Sequence, residues 1–153
     1  LKPYFRNFGK RMIKSPKVYF IETGLAAYLL GLRSADQINR DPLMGSLFEN
    51  MVVMEMFKSR LNAGKDPDLY FYRNSQGLEV DVLLASGHSL IPFEIKAAFT
   101  PRDEMFGNVK RFASLTDEAK CPAVIYAGRS LPSEDVPSFQ NFATVSSLLR
   151  DIP

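Results

Sequence analysis

Cysteine and histidine are nearly absent from this chain, which has one of each, Cys121 and His88. A single cysteine excludes an internal disulfide framework and fits a reducing compartment, with a cytoplasmic location as the expectation. Without a second histidine or cysteine, a zinc centre or a Cys-His nucleophile has no basis here. His88 falls in a turn-forming segment and reads as a surface residue. Cys121, beside Pro122 at the head of an apolar run, reads as a small buried hydrophobe. Also missing are a run long and apolar enough to span a membrane, a signal-peptide pattern, an internal repeat and a phosphate-cradling GxxxxGK[ST] segment. Charge of one sign is not in great excess either: the formal net charge is +2 and the sequence pI about 8.7, which permits contact with nucleic acid without demanding it. Hydrophobic residues make up 46% of the 153, enough to give one domain a real core. The chain opens on Leu1, already strand-like, so it is expected to be the C-terminal piece of a longer protein.

The most informative stretch is Tyr70 to Lys96. Leu78 to Ala85 and Leu90 to Ala97 alternate apolar and polar residues on either side of Ser86-Gly87-His88-Ser89, the local signal for a β-hairpin. A two-residue loop at Gly87-His88 sets Asp81 opposite Glu94 and Glu79 opposite Lys96. Because side chains alternate with period 2, a register that stacks Leu78, Val80, Val82 and Leu84 on Ile91, Phe93 and Ile95 gathers Glu79, Asp81, Glu94 and Lys96 on the other face. Two carboxylates and an ammonium together can serve a metal-dependent phosphodiesterase. Asp81 and Glu94 offer the hard oxygens that Mg²⁺ prefers, and Lys96 can orient a water or offset charge on the transition state. The plain alternative is a solvated face carrying two cross-strand ion pairs.

Upstream, residues 1–17 carry Lys2, Arg6, Lys10, Arg11, Lys14 and Lys17 with no acidic residue among them. A turn at Asn7-Phe8-Gly9-Lys10 followed by a short strand over Val18-Tyr19-Phe20-Ile21 suggests a β-ribbon with a basic tip. Such a ribbon can lie along a phosphate backbone through Arg6, Lys10, Arg11 and Lys14, or be a solvated hairpin whose aromatics pack on the body. Thr23 is placed to cap a short, nearly all-apolar helix through Leu30, closed by Gly31 and expected to be buried. Leu32 to Pro42 reads as an irregular, mobile connection. Met44 to Asn62 has helical apolar spacing through Phe48, Val52 and Met56, with Glu49 on or beside the core-facing stripe. A carboxylate there needs a partner or a purpose: it either completes the Asp81 and Glu94 site or pairs with an arginine such as Arg73. Arg73 can itself contact a phosphate or pair with Glu49 or Glu79. Beyond the hairpin, Thr100 to Thr116 reads as a helix burying Phe106, Val109 and Phe112, Cys121 to Ala127 as a buried strand ended by Gly128, Arg129 to Gln140 as a loop, and Asn141 to Leu149 as a brief strand and a closing helical turn.

This order of elements, with Gly45-Ser46-Leu47-Phe48-Glu49-Asn50, Tyr72-Arg73, Glu79-Val80-Asp81 and Phe93-Glu94-Ile95-Lys96, resembles the PD-(D/E)XK nuclease superfamily, also called restriction-endonuclease-like. More narrowly, Lys14-Ser15-Pro16-Lys17-Val18-Tyr19-Phe20 and Thr23-Gly24-Leu25-Ala26 resemble the uncharacterised domain that follows an AAA-type ATPase domain in many bacterial and archaeal proteins. The resemblance covers nearly the whole chain. It implies an α/β fold with a central mixed β-sheet flanked by helices over residues 32–153, preceded over residues 1–31 by the tail of a winged-helix segment whose wing is the N-terminal β-ribbon. Glu49, Asp81, Glu94 and Lys96 match the superfamily's catalytic positions, with Asp81 and Glu94 as ligands of Mg²⁺ or Mn²⁺. Nucleic acid, DNA before RNA, is the implied substrate, and an upstream ATPase domain the implied partner. Val80 stands where the superfamily's name has proline, and Glu22 where the narrower family more often has aspartate. The second implied reading is a docking module for nucleic acid or protein that regulates the ATPase without turnover.

Overall fold

The computed structural model describes residues 1–4, 15–131, 138–150 and 152. In chain order it runs β1 (Lys2–Pro3), α1 (Thr23–Leu29), α2 (Ala35–Arg40), α3 (Met44–Asn62), β2 (Leu69–Arg73), β3 (Glu79–Ser86) and β4 (Ser89–Lys96). A 3-10 turn (Asp103–Phe106) then leads into α4 (Gly107–Ala113), followed by β5 (Ala123–Tyr126), β6 (Ser138–Asn141), a second 3-10 turn (Phe142–Thr144) and α5 (Val145–Arg150). The strands form one mixed sheet in sequence order. The β2-β3 and β3-β4 pairs are antiparallel, whereas β1-β2, β4-β5 and β5-β6 are parallel. Helices cover both faces. Phe48, Val52, Val53 and Met56 of α3 and Val145 and Leu149 of α5 pack on Val82, Leu84, Ile91, Phe93 and Ile95. Phe106, Val109 and Phe112 pack on Leu83, Leu90, Val124 and Tyr126 from the other side.

The helix over residues 44–62 forms at the bounds its periodicity predicts. It stops at Ala63, and Gly64 follows at φ +70°, a left-handed value that glycine adopts without strain. Arg60, buried near its C-terminus, donates to the carbonyl oxygens of Asp66 and Ile152 and so ties the helix end to the chain terminus.

The hairpin turns at Gly87-His88, and its register from Ser86↔Ser89 to Val82↔Phe93 is the one a two-residue loop imposes. The expectation of one continuous apolar row is overturned. Tyr70 pairs with Leu83 but Tyr72 with Val80, so Phe71 faces two residues, Asp81 and Val82, across a β-bulge. A bulge inserts one residue and reverses the alternation beyond it. Val82 and Leu84 therefore pack toward α3, while Val80 and Leu78 pack toward α4. The same shift turns Glu79 and Asp81 toward α3, away from the face of Glu94 and Lys96.

Other local expectations are also corrected. Val18 to Ile21 forms no strand, and the basic tip with Arg6, Lys10, Arg11 and Lys14 lies outside the described residues. The helix at Thr23 buries only Ala26 and Ala27. Leu25, Tyr28, Leu29 and Leu30 are exposed, because α1 lies over the N-terminal part of α3 by one side only. Thr23 does not cap it, and its hydroxyl instead accepts from Asn50 Nδ2 at 2.7 Å. The connection after Leu32 contains α2, capped by Ser34, whose hydroxyl accepts from the amide of Gln37. The helix expected over 100–116 is the 3-10 turn and the short α4. Cys121 is exposed at φ +44°, ahead of the strand and not in it. The last strand, Ser138–Asn141, begins inside the segment expected to be a loop.

Candidate functional site

Two groups of charged residues meet where β3 and β4 part. The β3-β4 pairing ends at Val82↔Phe93, while β3 continues along β2 to Arg73↔Glu79 and β4 along β5 to Lys96↔Tyr126. Asp81 therefore has no backbone partner on the β4 side, and its carboxylate takes that role: Oδ2 accepts from the Ile95 amide at 2.8 Å.

On the α4 side, Glu94 is buried, with 3% of its surface exposed. Its Oε1 accepts from Lys96 Nζ at 2.6 Å and from Asn108 Nδ2, on α4, at 3.4 Å. Its Oε2 is buried with no hydrogen-bond partner among the described residues. A buried carboxylate oxygen left bare is costly and marks a place where an ion, a water or a substrate donor would be favoured. Burial alone would lower the Lys96 pKa, but the hydrogen bond to Glu94, with the fields of Glu94, Asp81 and Glu49, holds it above the ordinary lysine value.

On the α3 side the central group is a lysine that sequence reasoning left out of the site. Lys17 Nζ lies 3.0 Å from Glu49 Oε1, 2.8 Å from Glu79 Oε1 and 3.8 Å from Asp81 Oδ1. Tyr19 donates its hydroxyl to the same Glu49 oxygen at 2.5 Å. Arg73 closes the outer edge with two bonds of 2.7 Å to Glu79, through Nε and Nη2, and so pairs with Glu79 and not with Glu49. Phe71 floors this group, its ring centre 5.6 Å from Lys17 Nζ and 5.9 Å from the Arg73 guanidinium carbon. Burial pulls the Lys17 pKa down, but the hydrogen bond to Glu79 and the fields of Glu49 and Asp81 outweigh it and raise it. Burial, then the hydrogen bond to Glu49, raises the Tyr19 hydroxyl far above its usual range. Glu79 is held low because its bonds to Arg73 and Lys17 overcome the opposing effect of burial.

Asp81 joins the two groups. Burial, then the neighbouring Glu94 carboxylate, pushes its pKa up to about 7, against the Ile95 amide bond. The half-buried Asp81 and the buried Glu94 are thus two carboxylates close enough to repel.

Of the residues singled out from sequence, Asp81, Glu94 and Lys96 come together, and Glu49 reaches Asp81 through Lys17. Glu79 and Arg73 complete the outer edge. Lys17 and Tyr19 were missed as site members. Their signal was slight, two residues at strand-like spacing after Pro16, far in sequence from the hairpin they complete.

The donor set can be tested against a divalent ion. Asp81 and Glu94 present hard carboxylate oxygens, one of them bare, and they repel even with Lys17 and Lys96 beside them. That chemistry suits Mg²⁺ or Mn²⁺, which keep several water ligands and bind through one or two carboxylates. Among the described residues, no group of three or more histidine, cysteine, aspartate or glutamate side chains is arranged to hold a metal. The fit is therefore that of a two-carboxylate site. Beside the cluster lies a cleft of about 590 Å³, lined by Lys17, Glu49, Glu79 and Arg73 on its polar wall and by Val18, Phe20, Leu29, Leu30 and Leu43 on its apolar wall.

Fold and site define a mixed α/β domain, a six-stranded mixed sheet with flanking helices and a charged cluster at the splayed end of its hairpin. The chain belongs to the family described as a domain of unknown function (DUF4143), which it matches over residues 44–144. Domains of this family are found in AAA-ATPase-associated proteins. Residues 1–36 match a second domain of unknown function (DUF8612). Two uncharacterised proteins, Rv2008c of Mycobacterium tuberculosis and Mb2031c of Mycobacterium bovis, are each 36% identical to it over 102 residues, 66% of this chain and 22% of theirs. The chain thus spans about a fifth of the length of the curated relatives it matches. No helix among the described residues is long and apolar enough to cross a membrane.

Proposed function

We propose that this is a restriction-endonuclease-like domain that hydrolyses phosphodiester bonds of nucleic acid, DNA before RNA, with Mg²⁺ or Mn²⁺, beside an AAA-type ATPase in the same polypeptide. The observation that carries the reading is the meeting of the half-buried Asp81 with the buried Glu94, whose Oε2 is bare, beside the Lys96 ammonium. When bound between them, the divalent ion would polarise a phosphoryl oxygen and make water a stronger nucleophile. Asp81 and Glu94 would hold it, the Ile95 amide and Asn108 fix their carboxylates, and Lys96, from its place on Glu94, would orient the attacking water. Arg73 stands at the mouth of the cleft, where its guanidinium can take a backbone phosphate.

The reading is tested by incubating plasmid, linear and single-stranded DNA, and RNA, with the protein in Mn²⁺ and in Mg²⁺, alongside Lys96→Ala and Asp81→Asn. Cutting that needs the metal and is lost in both variants, with the fold intact, supports it. No cutting of any substrate, also in the presence of ATP and the ATPase partner, refutes it.

One observation favours a second reading. Lys17 already pairs with Glu49, Glu79 and Asp81, as the centre of a permanent structural network would. In that reading the domain docks nucleic acid or protein for the ATPase and turns nothing over.

A further inference from the structure

The placement of Lys17 decides more than the shape of the cluster. Residues 15–22 form an irregular strap across the splayed end of the hairpin. Lys17 and Tyr19 point inward on Glu49, Glu79 and Asp81, while the intervening Val18 is 89% exposed and Phe20 52% exposed. Lys17 lines the cleft and Asp81 does not, so on the α3 side the ammonium stands between the cleft and the Asp81 carboxylate. An ammonium in contact with three carboxylates from two elements occupies a place of strongly negative potential. A divalent cation on Asp81 would lie within a few ångströms of it, and the two like charges would repel strongly inside a partly desolvated site.

We propose, building on the metal-site reading above, that Lys17 is a built-in counter-cation competing with the divalent ion for this site, and that the strap is its removable carrier. The anchors of the strap fit that role. The ends of the inward segment are held by polar bonds: Leu1 and Lys17 exchange backbone bonds of 2.6 and 3.0 Å. Phe20 exchanges bonds of 2.8 and 2.9 Å with the Asn50 side chain. Beyond them, Glu22 meets Lys58 at 2.9 Å on the exposed surface, a pair that holds little. Between the anchors Val18 and Phe20 face outward and Tyr19 alone packs against the core on the α3 side, so lifting the strap costs the Tyr19 contact and leaves the buried residues of both cores packed against the sheet. Filling the site with a divalent ion therefore expels Lys17, and anything that pulls the strap away opens the site.

The test is Mn²⁺ binding, read by the electron paramagnetic resonance signal of free Mn²⁺, for the parent, Lys17→Met, Lys17→Arg and Asp81→Asn, each checked by circular dichroism. Lys17→Met is expected to bind Mn²⁺ at least about tenfold more tightly than the parent, Lys17→Arg to match the parent, and Asp81→Asn to lose the site. A Lys17→Met protein that is folded and binds no more tightly than the parent overturns the proposal. Should that variant fail to fold, hydrogen exchange of the parent decides. Saturating Mn²⁺ should speed exchange at the amides of Lys17 and Phe20 while leaving β3 and β4 unchanged, and equal protection with and without Mn²⁺ overturns it. Cleavage measured on the same samples separates this claim from the one beneath it. Tighter Mn²⁺ binding without cutting by any protein leaves the counter-cation standing and removes the nuclease. Cutting by the parent with unchanged affinity in Lys17→Met does the reverse.

Discussion

Replacing Asp81 by asparagine should stabilise the metal-free protein at pH 8, although it removes a carboxylate with three attractive neighbours. The Asp81 carboxyl is held at about 7 against an ordinary value of 3.8, by burial first and Glu94 second. A carboxyl raised in the fold makes folding take up a proton between those values. Its ionisation therefore costs nothing below about pH 4, costs progressively more as pH rises through the window, and costs its full amount above about pH 7. The rise from 3.8 to about 7, at about 1.4 kcal/mol per pH unit, sets a ceiling of about 4 kcal/mol. Asparagine keeps an oxygen for the Ile95 amide but forgoes the attraction of Lys17 and still buries an amide, so the net gain at pH 8 should be about 1–3 kcal/mol. It should shrink toward zero or reverse near pH 4. Urea denaturation of parent and variant in EDTA at pH 4.5, 6 and 8 measures this directly. A variant less stable than the parent at pH 8 would refute the claim that the fold disfavours the ionised Asp81 carboxylate.

Asn50→Ala removes the bonds to Phe20 and Thr23 from a buried side chain; denaturant unfolding should show a loss of about 1–3 kcal/mol, with faster hydrogen exchange at the Phe20 amide. Gly128→Ala would set a methyl into the Phe99 carbonyl oxygen and the Tyr126 ring, a backbone obstacle that should cost about 2–4 kcal/mol in the same assay. Phe112→Ala, at 0% exposure and edge-on to Tyr72, should cost about 3–5 kcal/mol. Arg73→Ala breaks a bridge to Glu79 with the arginine side chain 37% exposed. Thermal unfolding should move by the equivalent of less than about 1 kcal/mol, while DNA binding at low salt should weaken if the guanidinium meets phosphate.

What the sequence made legible was local. The bounds of α3 follow from helical spacing and a glycine stop, and the hairpin register follows from its two-residue turn. The capping signal of α2, Ser34 with Gln37 three residues on, was present but outweighed by the polar character of its surroundings. The bulge at Asp81-Val82 was not legible, because an alternating pattern is compatible with either phase until β2 is placed beside it. Apolar content also misled at α1, whose leucines are exposed although nothing in their spacing distinguishes them from core. Glu94 and Lys96 could be set on one face from strand period alone, whereas Asp81 meets them where the β3-β4 pairing ends, through its bond to the Ile95 amide and not through a shared face. Lys17 could not, since its contact with Asp81 depends on the path of the strap over the sheet and not on any local preference.

The nuclease reading and the counter-cation proposal both require Asp81 and Glu94 to hold a divalent ion. Diffraction from crystals soaked in Mn²⁺, collected at the manganese absorption edge, tests this most directly. An anomalous peak between the two carboxylates, with Lys17 drawn away from Asp81, is the predicted result. Saturating Mn²⁺ that leaves no peak there, with Lys17 still seated among Glu49, Glu79 and Asp81, would contradict it.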